Sequence, residues 1–121
     1  MTLIGIALKD IHGPKLTKVR MAWLSPDNQV GLEILEYIKA QAEICTANFE
    51  HWKSGFIHIC VTDPDIEGLC KKISEIERKQ RGKIWEVVPD KGIRMAICED
   101  PFGNIIDIYD YSYEQTIISL P

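Results

Sequence analysis

Two stretches of this 121-residue chain carry the same pattern at one offset. Val19-Arg20-Met21-Ala22 lies over Ile93-Arg94-Met95-Ala96, an offset of 94 − 20 = 74 positions. At that offset Leu32-Glu33-Ile34 falls on Ile106-Asp107-Ile108, and Glu36-Tyr37 on Asp110-Tyr111. Each copy reads as strand, Pro-containing turn, strand. A single offset kept across two strands and a turn marks an internal duplication. The chain is therefore constrained to two copies of one β-rich unit.

The second copy is the more complete. Phe56–Val61 is apolar and rich in β-formers, a strand. Asp63 and Asp65 offer helix caps, and Pro64 suits a first turn. Ile66, Leu69, Cys70, Ile73 and Ile76 follow at spacings of three and four, the stripe of an amphipathic helix, with Gly82 as its stop. Lys83–Val88 and Ile93–Glu99 read as strands. Asp100-Pro101-Phe102-Gly103-Asn104 is a turn, and Ile105–Tyr109 closes a βαβββ unit. In the first copy Leu16–Leu24 and Val30–Ile38 are strands around a turn at Ser25-Pro26-Asp27-Asn28, and Thr2–Leu8 is a further strand. His58 has no counterpart, because 58 − 74 lies before Met1. The expectation is an α+β fold in a single domain over 1–121, with two βαβββ units forming a curved mixed sheet. Residues 1–39 are expected to form a shortened first unit, truncated at its N-terminus, with its opening strand and helix missing or heavily shortened. Thr2–Leu8 then answers to Lys83–Val88. Residues 40–54 are a linker, 55–111 the complete second unit and 112–121 a C-terminal tail.

Composition narrows the function classes. The chain suits one domain with a real core, with 45% hydrophobic and 26% charged residues and a net charge of −4. There is no concentrated basic face for nucleic acid. Lys71, Lys72, Arg78, Lys79 and Arg81 alternate with Glu67, Glu75 and Glu77 and read as a solvated helix face. No apolar run is long enough to span a bilayer, and no signal-peptide pattern is present. Cys45, Cys60, Cys70 and Cys98 lack C-x-x-C spacing, which suits reduced, buried thiols in a cytoplasmic protein.

Three strands place a metal-capable residue between two aliphatics: Leu32-Glu33-Ile34, Ile57-His58-Ile59 and Ile106-Asp107-Ile108. Side chains alternate faces along a strand. If the aliphatics pack under helices, Glu33, His58 and Asp107 share the other face. A buried carboxylate is costly unless paired or bound to metal, and two carboxylates with an imidazole are ligands for a divalent ion. The donor set is rich in oxygen, so hard or borderline ions are expected: Zn, Ni, Co, Mn, Fe or Mg. A lone strand histidine is more often structural, and a lone strand carboxylate more often solvated. The repeat equivalence of Glu33 and Asp107 is what favours the shared site. Cys60 faces the same side as His58 and reads as a buried thiol lining the pocket before it reads as a ligand. Tyr37 and Tyr109 share these faces as pocket walls. His12 and His51 fall in loops. Arg20 and Arg94 repeat one another, as substrate contacts or structural ion pairs, and Glu36 and Asp110 read as solvated strand ends.

These segments resemble the vicinal oxygen chelate superfamily of glyoxalases, extradiol dioxygenases and bleomycin resistance proteins. The likeness rests on Leu32–Tyr37, Gly55–Asp63 and Glu99–Ile108, above all the Glu-Asp-Pro-x-Gly-Asn turn leading into an apolar-acid-apolar strand. It covers about residues 16–111. It implies a metal held by Glu33, His58 and Asp107, with Glu33 or Asp107 also moving the proton. The superfamily more often has Glu at the Asp107 position, and its usual fourth ligand is a histidine on the opening strand of the first unit.

The first expectation is thus a metal-dependent glyoxalase-type lyase or isomerase, acting on a small metabolite that chelates the ion through neighbouring oxygens. One alternative is a metal-free, drug-sequestering binding protein, to which Trp23, Trp52 and Trp85 would contribute. Another is a truncated, catalytically silent module that assembles with a partner chain. A homodimer is expected, because an incomplete first unit leaves an exposed strand edge.

Overall fold

Alternating apolar residues and well-marked turns build six strands and two short helices among the described residues. The computed structural model describes residues 10–11, 13–15, 18–25, 30–39, 43, 52, 54–76 and 79–120. The readings at Thr2–Leu8, His12, Cys45 and His51 lie outside them, as do Pro26–Asn28 and most of the 40–54 stretch. The class is α+β, in two compact units, Met1–Glu43 and Ile44–Pro121.

In the first unit, β1 (Lys18–Leu24) and β2 (Leu32–Lys39) form an antiparallel hairpin. In the second, β3 (His58–Thr62), α1 (Ile66–Glu75), β4 (Lys79–Val88), β5 (Ile93–Glu99) and β6 (Ile105–Tyr109) follow in chain order. Their sheet order is β3-β6-β5-β4. The outer strand β3 runs parallel to β6, while β6–β5 and β5–β4 are antiparallel. The expected βαβββ order is present. A short helix, α2 (Tyr113–Ile117), follows in the stretch expected only as a tail, and is closed by a capping box between Ser112 and Gln115.

The duplication is visible in hydrogen-bond register. In the first hairpin Met21 pairs with Leu35, Ala22 with Ile34, Trp23 with Glu33 and Leu24 with Leu32. In the second, Met95 pairs with Tyr109, Ala96 with Ile108, Ile97 with Asp107 and Cys98 with Ile106. Each pair of the first set becomes one of the second when both numbers rise by 74, the offset from Arg20 to Arg94. The copies therefore share strand pairing as well as sequence pattern.

One face of the four-stranded sheet packs on α1. Ile66 and Cys70 of the helix meet Ala96, Cys98 and Ile108 of the sheet, with Val61, Leu69, Ile73, Ile84 and Ile106 around them. Asp65 caps the helix by accepting from the Gly68 amide at 3.1 Å.

Several boundaries differ from expectation. Gly82 does not stop the helix, which ends at Glu75. Gly82 lies inside β4 with φ +77°, where the pairing register breaks between Arg81 and Trp85. A left-handed residue at a bulge is a natural place for glycine. The bulge lets β4 begin at Lys79, so Lys79 and Arg81 belong to a strand and not to the helix face. β3 begins at His58, and Phe56 is left 87% exposed. Pairing with β6 starts at His58 opposite Ile105, so nothing draws Phe56 into the ladder.

Candidate metal centre

Asp107 is set in place by the strand that carries it. Ile106 and Ile108 point into the core beneath α1, which turns Asp107 to the other face. Both ends of β6 are tied down. At its start, Asp100 Oδ1 accepts from the amides of Phe102 and Asn104 at 2.9 and 2.8 Å, and Asn104 Nδ2 donates to Asp100 Oδ2 at 2.7 Å. Gly103 completes this turn with φ +83°. Past its end, Asp110 accepts from the Arg94 amide at 2.8 Å and from Arg94 Nε at 2.6 Å. Asp110 is not the solvated strand end expected from sequence, since its side chain is only 6% exposed. The guanidinium closes over it and also meets Glu67 of α1. Arg94 is therefore a structural cation, and its hydrogen bonds to these two carboxylates, Asp110 first, raise it above the usual arginine value.

The parallel pairing of β3 with β6 brings in the other donors. Cys60 is the register partner of Asp107, and His58 lies two residues earlier on the same face. His58 Nε2 is 3.4 Å from Asp107 Oδ2. One ligand atom each from His58, Cys60 and Asp107 lie within 4.8 Å of one another. Asp107 is 8% exposed, whereas His58 and Cys60 are open to solvent. The exposure of Cys60 corrects the expectation of a buried thiol. It stands on the sheet face away from α1, whereas the other two described thiols, Cys70 on that helix and Cys98 on β5, are buried in the core between them.

Across the sheet, Arg81, Ile97, Asp107 and Cys60 form one row, and Arg81 is ion-paired with Glu99 on the same face. Sequence reasoning misses this pair because it places Arg81 on the helix. Alternation of Lys79 and Arg81 with period two is the signal that could have found it. Tyr109, two residues beyond Asp107, lines the face and meets Tyr113 edge-on with ring centroids 6.3 Å apart.

The field of Asp107 is felt by its neighbours. Burial first, and the Asp107 charge second, push the Cys60 thiol up. The Tyr109 hydroxyl is pushed up by burial, then by Asp107, Cys60 and Tyr113. Both groups therefore keep their protons at neutral pH and present donors toward the carboxylate side of the sheet.

Of the residues singled out from sequence, the second unit brings His58, Cys60 and Asp107 together, with Tyr109 beside them. Glu33 and Tyr37 lie on β2 of the first unit, two pleat repeats apart on one face. Glu33 is exposed and accepts from Trp23 Nε1 at 3.1 Å. Its neighbour Ile34 is 52% exposed. Buried aliphatic neighbours therefore force the acid outward at Asp107 and do not at Glu33. Arg20 pairs with Glu36 at 2.7 Å, the counterpart of Arg94 with Asp110, so both repeated arginines form ion pairs along their hairpins.

An imidazole, a thiol and a buried carboxylate at this spacing are a donor set that could hold a divalent metal. Withdrawing a carboxylate such as Asp107 from water is costly, and a cation at this place would offset part of that cost.

No family profile matches the sequence, and no curated protein matches it. Among solved structures, a glyoxalase family protein from Bacillus cereus is similar, with a TM-score of 0.58 at 15% identity. The match covers 75% of this chain and 60% of that one, so the chain spans less than two thirds of the length of this relative. A likeness at this identity speaks for architecture. The chain has a glyoxalase-like α+β fold, with a His-Cys-Asp cluster on the sheet face opposite its helix.

Proposed function

We propose that the chain is a metal-dependent lyase or isomerase of the glyoxalase type, acting on a small metabolite with two neighbouring oxygens. One observation carries the reading: His58 Nε2 lies 3.4 Å from the buried Asp107 carboxylate on the open face of a βαβββ sheet. His58 and Asp107, on neighbouring strands of the second unit, would hold the ion. When bound, a divalent ion supplies Lewis-acid polarisation of two adjacent substrate oxygens. The chain's own groups do the rest. Asp107 accepts the substrate proton, and Tyr109, whose hydroxyl stays protonated, donates a hydrogen bond to a substrate oxygen. The reading includes a cytoplasmic homodimer; no helix among the described residues is long and apolar enough to cross a membrane.

The test is metal content after purification without chelator. About one equivalent of divalent ion per chain, reduced in His58→Ala and Asp107→Ala, is the expected result. Less than about a tenth of an equivalent, unchanged by His58→Ala, would sink the reading.

A second reading is a metal-free binding protein. It is favoured by the Trp23–Glu33 hydrogen bond, which already satisfies one oxygen of that carboxylate. Its mark is ligand binding that survives EDTA and persists in His58→Ala.

A further inference from the structure

The three described thiols of this chain stand in two different environments. Cys70 and Cys98 are core residues packed between α1 and β5. Cys60 is on the other face of the same sheet, exposed, and contributes nothing to that core. Packing therefore explains two thiols and leaves the third without a reason. Its position is not arbitrary. It is level with Asp107 across the β3–β6 ladder and one pleat repeat beyond His58.

We propose that Cys60 is itself a metal ligand. His58, Cys60 and Asp107 then form a nitrogen, sulfur and oxygen donor set that favours zinc or cobalt over magnesium and manganese. This inference rests on the metal-dependent reading above and changes its chemistry, since carboxylates and an imidazole alone would suit harder ions as well.

The geometry supports it at each donor. Adjacent strands lie about 4.8 Å apart, and residues i and i+2 on one strand about 6.7 Å apart. A long imidazole at His58 and short side chains at Cys60 and Asp107 are what lets three such positions converge. Their ligand atoms lie within 4.8 Å of one another. Around a tetrahedral ion with bonds of about 2.0 to 2.3 Å, neighbouring ligand atoms lie about 3.5 Å apart. The difference of about 1 Å is within reach of side-chain rotation on a fixed backbone. The backbone here is held, because Val61 on β3 and Ile106 and Ile108 on β6 anchor both strands in the core on the other face. On binding, one bond forms between Cys60 Sγ and the ion, and the thiol proton leaves to solvent. A thiolate raises affinity for borderline and soft ions and does little for magnesium or manganese. Three protein ligands leave a position open, the arrangement of a reactive site and not of a structural one.

The test uses the full chain stripped of metal and titrated with cobalt(II), read by absorption. Wild type is expected to show visible ligand-field bands of a low-coordinate ion together with a near-ultraviolet sulfur-to-cobalt charge-transfer band. Cys60→Ser, at an exposed position, is expected to lose the near-ultraviolet band, keep the visible ones, and bind cobalt at least about tenfold more weakly. Zinc at one equivalent should displace the cobalt, and magnesium in large excess should not. Visible bands without the near-ultraviolet band in wild type would overturn the role of Cys60 and leave the metal-dependent reading standing. Retention of both bands in Cys60→Ser would do the same. Displacement by magnesium would overturn the selectivity. No cobalt bands under any condition would overturn both readings. The wild-type spectrum decides the matter without depending on how any variant folds.

Discussion

Asp100→Ala should destabilise the second unit by about 2 kcal/mol, although the residue stands outside the core. Asp100 Oδ1 receives two backbone amides, from Phe102 and Asn104, and Oδ2 receives Asn104 Nδ2. Two further backbone bonds close the same turn, Gly103 N to Asp100 O and Asp100 N to Asn104 O, each 3.0 Å. Alanine keeps those two and loses all three side-chain bonds. The turn is exposed, so each lost bond belongs at the low end of the usual range, about 0.5 to 1 kcal/mol. Three together give about 2 kcal/mol. With a urea slope of about 1.5 kcal/mol/M for a domain of this size, the midpoint should fall by about 1 M or slightly more.

Two further substitutions separate the causes. Asp100→Asn retains an oxygen that can take both backbone amides, so it should lose less than about 1 kcal/mol. Asp63→Ala removes a single bond, from the Asp65 amide at 2.9 Å, and should cost less than Asp100→Ala. Unfolding followed by far-ultraviolet circular dichroism gives the three midpoints. If Asp100→Ala falls within about 0.5 kcal/mol of wild type, the turn does not hold the start of β6. If Asp100→Asn is as damaging as alanine, charge and not hydrogen-bond count is responsible.

Ile108→Ala removes a fully buried side chain between α1 and the sheet and should cost about 3 to 4 kcal/mol in the same assay, whereas Ile34→Ala, at the matching but half-exposed position, should cost under about 1 kcal/mol. Arg94→Ala should lower the thermal midpoint more than Arg20→Ala, because it strands the nearly buried Asp110, while Glu36 stays in water. Burial, then the Cys70 charge and hydrogen bond, push the Cys98 thiol up to about 12 from 9.0. The folded state thus holds that proton more tightly than the unfolded state. The contribution is complete below about pH 9 and is lost as pH rises from there toward 12. Thermal midpoints across that window should fall, and fall less steeply in Cys98→Ala. A sedimentation mass of twice the 13.8 kDa chain would accord with the proposed dimer.

Much of the second unit is legible in the sequence because its signals agree with one another. The spacing of Ile66, Leu69, Cys70 and Ile73 marks the helix and its buried face, and the Asp100–Asn104 turn marks the ends of β5 and β6. The His58–Asp107 approach follows from alternation on two strands whose aliphatic neighbours sit in the core. What is not legible depends on a residue with two meanings or on pairing between distant strands. Gly82 ends helices and also permits bulges, and only the Arg81–Trp85 register break decides between them. Asp110 looks like a solvated strand end until Arg94 folds over it from the neighbouring strand. Cys60 looks like any strand cysteine until parallel pairing sets it opposite Asp107.

The two hairpins separate what local sequence encodes from what the rest of a unit adds. Pairing register and the arginine–acid contact recur in both, so the hairpin sequence alone suffices for them. Burial of the central carboxylate does not recur. Asp107 is 8% exposed and Glu33 is exposed, although they hold the same register position. The difference lies in what flanks the hairpin. In the second unit α1 covers one face, and β3 extends the sheet beyond β6 and contributes His58 and Cys60 to the other face. A repeated hairpin thus supplies one carboxylate per copy, and it is the added parallel strand that turns a carboxylate into a donor cluster. Substitutions of His58 and Cys60 on β3 should therefore alter the donor cluster without disturbing hairpin register, and substitutions in the β5–β6 turn should disturb both.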